Sequence, residues 1–436
     1  VFVMLELFKK RNFSLFWFGE MISVIGDQIS LIAFPWLVLQ MTNSPALTGL
    51  VFAVQGIPRA ALMLAGGALV DRTSPRLMMI LSNGLRMVLV LSLAYMISQD
   101  TADISAVFLM AFAFGVADAF FYPASISILP SLVSRDELQA GNAIVQTTLH
   151  LGMTIGPFVA AFIIAGEIGS ASHPSEVALN VDGLDSYDLD REGLYRAFLV
   201  DGLTFGLSLL SLLFVKVRPL NAESTVSETS SLYAEIRKAS LWAWSIPAVR
   251  LGFIGMAVIH FFFMPMVFVG IPVWAKLHYV DGAYVYGVVT AAFGLGAFIG
   301  AIGSAYIQVP GDQKLIPGMF WAYVFSGSTL ALIIFYDPYW WAMLLFFISG
   351  IFESFFYVHF TTWLQRITPN ALLGRVMSIL MLMSMGLLPI ADAIMGFAIE
   401  WSLDATMIGS GVFLMLFCGL VAVHPMSKIV VPIENK

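Results

Sequence analysis

Residues 13–39 read FSLFWFGEMISVIGDQISLIAFPWLVL, with Glu20 and Asp27 as the only charged side chains in the run. As an α-helix rising 1.5 Å per residue, such a run is ~40 Å long, more than enough for the ~30 Å hydrocarbon core of a bilayer. It is too long for the ~7–15-residue apolar core of a secretory signal, although Lys9, Lys10 and Arg11 precede it. The expectation is a membrane helix retained in the mature protein.

Eleven runs of the same kind follow, at about 46–69, 77–98, 104–128, 141–165, 194–216, 248–274, 284–307, 315–336, 339–363, 374–399 and 404–424. They are continuous, whereas barrel strands alternate apolar and polar positions over ~10 residues. Gly and Pro inside them are tolerable in membrane helices. Only 11% of the 436 residues are charged and 59% are hydrophobic, which is too little charge to cover a water-facing surface; soluble domains carry about 25%. The predicted fold class is all-α integral membrane, with twelve transmembrane helices. The single cysteine, Cys418, lies in the last apolar run, so no intrachain disulfide or thiolate metal site is expected.

Lysine and arginine set the orientation. With the N-terminus inside, sixteen of the 21 fall on inner segments and only Arg191, Arg196 and Lys276 on outer ones, while Arg59 and Arg86 lie within spans. The even span count then puts both termini on the cytoplasmic side of the cell membrane. The outer loop at 166–193 is acidic, without the D-x-[DN]-x-[DN]-G calcium pattern, and reads as a solvated loop. The inner segment 217–247 is Ser/Thr/Glu-rich and then amphipathic, which predicts a linker with a helix on the inner surface. It divides the chain into an N-terminal six-helix half, 1–216, and a C-terminal one, 248–436. An internal repeat supports the division: Phe120-Phe121-Tyr122 and Phe355-Phe356-Tyr357 are 235 apart, and the same offset places Asp118 on Glu353. Parallel six-helix halves are the plan of one large transporter class.

Between spans 2 and 3 the chain reads Gly67-Ala-Leu-Val-Asp71-Arg72-Thr-Ser74-Pro75-Arg76. This resembles the G-x-x-x-D-R-x-G-R-[KR] loop of the major facilitator superfamily, with Ser74 and Pro75 as departures. The resemblance implies a conformational latch at Gly67, Asp71, Arg72 and Arg76; ordinary positive-inside charge is the simpler reading of the arginines. Span 5 contains Gly152-Met-Thr-Ile-Gly156-Pro157-Phe-Val-Ala160-Ala161, similar to the G-x-x-x-G-P-x-x-G-G motif of that superfamily's antiporter branches. It implies a hinge at Gly152, Gly156 and Pro157, or else a tight packing face alone. The stretch Thr368-Pro369 to Gly374-Arg375-Val-Met-Ser378, with Gly26-Asp27-Gln28 and Pro35-Trp36, resembles the macrolide-efflux and enterobactin-exporter branch; Gly374 and Arg375 join the candidate latch. The resemblance implies two halves moving about a central cavity, driven by protons, in a monomer.

Charge at bilayer depth is costly, so each ionisable residue within a span is a functional candidate. From the inner end Glu20 lies at ~10 Å, Arg59 at ~15 Å and Asp27 at ~21 Å. Glu20 and Asp27, seven apart, share a helix face, and Gln28 and Gln55 add polar neighbours. This group is the candidate coupling or substrate site; the alternative is a static buried ion pair. Arg86, Asp118 and His150 lie at ~14–15 Å on spans 3, 4 and 5 and suggest a second, structural cluster. Glu353 takes Asp118's place in the second half with no obvious arginine. Asp392 falls near the outer end of span 11, within reach of outer water. His260 and His359 read as satisfied polar residues, since no H-E-x-x-H spacing accompanies them.

A proton-coupled exporter of an amphiphilic small molecule, drug or siderophore-like, is the leading expectation. An importer or facilitator of a small metabolite is the alternative. No G-x-x-x-x-G-K-[ST] loop, G-x-S-x-G or paired-His motif occurs, which argues against an ATP-driven pump or an intramembrane enzyme. No metal, cofactor or nucleic-acid partner is expected; the expected partners are substrate, protons and membrane lipids.

Overall fold

A computed structural model describes residues 6–134, 137–165, 186–217, 232–307, 312–335, 338–369 and 372–428. Twelve helices are long and apolar enough to cross a membrane, and no strand occurs among the described residues. The helices are α1 (Arg11–Thr42), α2 (Pro45–Arg72), α3 (Pro75–Ser98), α4 (Ile104–Leu132), α5 (Leu138–Ala165), α6 (Ser186–Phe214), α7 (Leu232–Ser245), α8 (Pro247–Phe262), α9 (Ile271–His278), α10 (Gly282–Tyr306), α11 (Asp312–Phe335), α12 (Tyr339–Ile367), α13 (Leu373–Met381), α14 (Leu388–Trp401) and α15 (Leu403–Val423). Span 7 is α8 and α9 joined through Met266–Gly270; span 11 is α13 and α14 joined through Leu382–Gly386.

Local chemistry sets several helix ends. Pro75 and Pro247 open α3 and α8, where a missing N–H costs nothing. The Asp103 carboxylate caps α4 by accepting from Ala106 N at 2.8 Å. Asn43 closes α1 in a left-handed conformation, φ 52°.

The chain forms two compact units, 1–222 with 272–291, and 223–271 with 292–436. The sequence division assigns 272–291 to the second half; here that segment packs with the first unit. In unit 1, α1 packs on α5 and α6, α2 on α4, and α3 on both α4 and α6. In unit 2, α11 packs on α12 and α15. The 235-residue repeat reappears in the packing. A Cβ on Gly115 would collide with the Gln55 carbonyl of span 2, and one on Gly350 with the Phe293 carbonyl of span 8. Each unit thus uses a glycine at the same repeat position to bring two helix backbones together.

The units differ in helix regularity. Spans 1 and 5 are unbroken through Pro35 and Pro157. Spans 7 and 11 each contain a π turn, in which Ile271 N–H bonds to Met266 O and Leu387 N–H to Leu382 O, five residues back. Each π turn ends on glycine, and Pro272 or Pro389 follows within three residues. A proline cannot donate to the carbonyl four residues before it, so the local α ladder is already incomplete there.

Candidate functional site

The site is built around Arg86. On α3 the buried positions Met79, Ser82, Asn83, Arg86, Val90 and Leu93 recur every three to four residues, which turns Arg86 inward. Its side chain is 0% exposed. The guanidinium donates to Asp27 Oδ1 at 2.8 Å, Asp118 Oδ1 at 3.4 Å and Asn83 Oδ1 at 2.5 Å. It lies 4.1 Å from the Phe121 ring centroid and 4.5 Å from that of Phe205. Two carboxylates and two aromatic faces replace the water lost on burial. Asn83 is fixed in turn by donating to Ser208 Oγ at 2.9 Å.

Asp118 also accepts from Arg59, Nη1 to Oδ2, at 3.1 Å. Exposure rises along the chain of contacts, from 0% at Arg86 to 18% at Asp118 and 47% at Arg59. Asp27, on the other side of Arg86, is 31% exposed, so the sealed guanidinium sits between two partly open ends. Glu20 is 5% exposed, and its Oε2 has no hydrogen-bond partner among the described residues.

This arrangement corrects the grouping expected from depth. Arg59 meets Asp118 rather than Glu20 or Asp27, and Asp27 meets Arg86. The two expected clusters are one network, because α3 and α4 pack together and α1 also touches α4. Gly156 lies against the Gln28 side chain, Gly152 against Val24, and Gly115 against the Gln55 carbonyl. Gly152 and Gly156 thus seat span 5 on span 1. The side chains of Gly67, Asp71, Arg72, His150 and Gly374, and the acidic segment 166–185, lie outside the described residues. Arg76 donates to the Leu212 and Leu213 carbonyls at 2.8 and 2.7 Å, at the C-terminal end of α6 where a cation is favoured. Arg375 stands in the first turn of α13.

In unit 2, Asp392 is 1% exposed rather than open to outer water. It shares the buried stripe of α14 with Met395, Gly396 and Ile399, and its Oδ1 has no hydrogen-bond partner among the described residues. Neither Glu353 nor Asp392 meets a cation among the described residues. His260 and His359 bond through Nδ1 to the carbonyls of Met256 and Phe355, both at 2.8 Å.

Two further carboxylates of unit 1 lie outside the two expected clusters: Asp201, an ionisable candidate within span 6, and Asp190, in the acidic segment before it. Asp201, fully buried on α6, accepts from Ser30 Oγ of α1. Asp190 accepts from Trp36 Nε1 at 2.9 Å and Gln40 Nε2 at 2.5 Å. The sequence signal for both is a polar residue on α1 in an apolar run. Outside the spans, Glu137 accepts from Lys10 Nζ at 2.5 and 2.7 Å and from Ser134 N at 2.9 Å. These bonds, those of Lys10 first, hold its carboxyl down to about 2.

Comparison with known proteins adds the following. The family described as Major Facilitator Superfamily matches residues 16–391. The multidrug efflux pump Tap of Mycobacterium tuberculosis is 23% identical over 299 residues, 67% of this chain and 64% of that protein; the match thus spans under two thirds of that relative. The enterobactin exporter EntS of Citrobacter koseri is 25% identical over 368 residues, covering 82% of this chain and 78% of its own. The crystal structure of the nucleoside transporter NupG has the same fold, with TM-score 0.66, 13% identity and coverage of 94% of this chain and 97% of its own.

Proposed function

The chain belongs to the major facilitator superfamily of transporters, and from that premise we propose that it is a secondary active exporter that exchanges protons for an amphiphilic small molecule. The observation that carries this reading is the Arg86 network. Unit 1 brings together four carboxyl groups, the buried Glu20 and Asp201 and the partly exposed Asp27 and Asp118, with the two guanidinium groups of Arg59 and Arg86. At membrane depth an excess of negative charge needs compensation, by protons or by a cationic substrate. Two of its relatives carry the names of a multidrug efflux pump and an enterobactin exporter, which favours efflux and amphiphilic cargo.

In this reading Asp27 is the exchange group. It shares Arg86 with Asp118. A proton on Asp27 removes its claim on the guanidinium, which then turns to Asp118; substrate reaching Asp118 and Arg59 reverses the exchange. Proton and substrate thus compete for one network, and their differential affinity for its two arrangements does the coupling. Glu353 and Asp392, with no cation beside either among the described residues, serve as secondary proton positions in the C-terminal half. Segments 67–76 and 374–375, at the helix ends, act as the conformational latch, and the Gly152–Pro157 segment as a hinge. The protein works as a monomer in the cell membrane with both termini cytoplasmic.

Reconstitution in liposomes under an imposed pH gradient tests this, with lipophilic cations, macrolides and catecholate siderophores as cargo. Wild type is expected to move at least one class against the gradient, and Asp27→Asn to bind it without gradient-driven transport. Full gradient-driven transport by Asp27→Asn removes Asp27 from the exchange. Cargo accumulation in the direction of proton flow establishes import instead.

A further inference from the structure

Helix α7 ends at Ser245, two residues before Pro247 opens span 7. It therefore lies at the bilayer surface, whichever side that surface faces. Its described residues form two faces. Ala239 and Ala243, four apart, are buried, and α7 packs on α8 and α13. On the opposite side Leu241 and Trp244 are 59% and 57% exposed. Arg237 shares that side at i, i+4, i+7 spacing, and Lys238 is exposed beside it. Arg250, in the first turn of span 7, holds its guanidinium 5.9 Å from the Trp244 ring. Glu235 is the only acid between 232 and 250. Arg237, Lys238 and Arg250 form no ion pair among the described residues.

A face that joins Leu, Trp and three cations without an ion pair among the described residues suits neither bulk water nor a protein core. Water leaves the indole and the leucine exposed; a protein core buries the cations without partners. The headgroup layer of a bilayer takes both, with aromatic rings at its depth and basic side chains at its phosphates. We propose that α7 and Arg250 form a binding site for anionic phospholipid, in which Leu241 and Trp244 enter the acyl boundary while Arg237, Lys238 and Arg250 take the headgroup phosphates. Because α7 packs on both α8 and α13, a lipid bound there restrains the starting ends of the two π-interrupted spans together. The site stands apart from the Arg86 network and from the direction of transport.

The test uses the full chain with Cys418→Ser and Leu241→Cys, carrying a nitroxide at position 241, in phosphatidylcholine vesicles with or without phosphatidylglycerol. The expected label is more accessible to molecular oxygen than to a water-soluble nickel chelate. Mass spectrometry of the purified wild type is expected to retain phosphatidylglycerol in preference to phosphatidylcholine. Arg237→Gln with Lys238→Gln and Arg250→Gln should weaken that retention by roughly fivefold for each charge removed, while Arg237→Lys with Arg250→Lys preserves it. A label more accessible to the nickel chelate places α7 in water, and one shielded from both probes places it under protein; either overturns the proposal. So does unchanged phosphatidylglycerol retention in the triple glutamine variant. Should that variant fail to fold, the accessibility at 241 still decides.

Discussion

The two units follow one repeat and differ in what fills it. Unit 1 holds its spans as unbroken helices around a buried guanidinium shared by Asp27 and Asp118. Unit 2 places Glu353 and Asp392 at depth with no cation beside either among the described residues, and breaks spans 7 and 11 with π turns. Those turns are reciprocal: α8 packs on the π turn of span 11, and α14 on that of span 7. A charge network fixes helix positions through costly, directional contacts. A π turn supplies local irregularity without charge and recurs at functional sites. Among the described residues, the ion pairs thus fall in unit 1 and the π turns in unit 2.

Removing the centre of the network is the strongest way to break this contrast. Arg86→Met leaves Asp27, Asp118 and Asn83 facing a thioether. Deleting one partner of a buried pair costs about 3–5 kcal/mol, so thermal unfolding of the detergent-solubilised protein should show a large loss, with transport abolished. Asp392→Asn is nearly isosteric and breaks no ion pair among the described residues; its unfolding should show a clearly smaller loss, about 1 kcal/mol, the centre of the range for single substitutions. Equal losses in the two variants would erase the distinction between the units.

A second pair sharpens what they share. Gly115→Val and Gly350→Val each push a branched side chain into a facing helix carbonyl. Overpacking of this kind costs about 1–3 kcal/mol, and unfolding should register similar losses at both positions. A loss confined to one would mean that the repeat sets sequence but not packing.

The span pattern was legible because length and hydropathy alone decide it: residues 13–39 admit no other reading. Depth was legible too, since rise per residue is fixed: it put Arg59, Arg86 and Asp118 at one level, ~14–15 Å, with Asp27 about one helical turn further in. Which guanidinium meets which carboxylate depends on the rotation of each helix and on which helices touch. A single sequence encodes that only through the buried stripe, and Arg86 sits on such a stripe in α3 whereas Arg59 sits on an exposed face. Asp392 was misread for the same reason: position along span 11 suggested water, but Met395, Gly396 and Ile399 place its side of α14 inward. The π turns left a readable trace in Gly270-Ile271-Pro272 and Gly386-Leu387-Leu388-Pro389, but Pro35 and Pro157 show that proline alone does not produce one.

The smallest expected effect lies outside the membrane and concerns unit 1 alone. Glu137 ties the segment before span 5 to Lys10 before span 1, with its carboxyl lowered from 4.5 to about 2. A carboxyl lowered on folding adds stability that is fully present above its unfolded value, 4.5, and is lost as pH falls from there through 2. The pair is open to solvent, so its contribution is small and screened by salt. Unfolding followed from neutral pH into that acid window should show a decline in wild type that is shallower in Glu137→Gln, and the gap between them should narrow at high ionic strength. Parallel pH profiles at low salt would mean that the clasp fixes loop geometry without stabilising the unit, leaving Arg86 as the charged contact on which unit 1 depends.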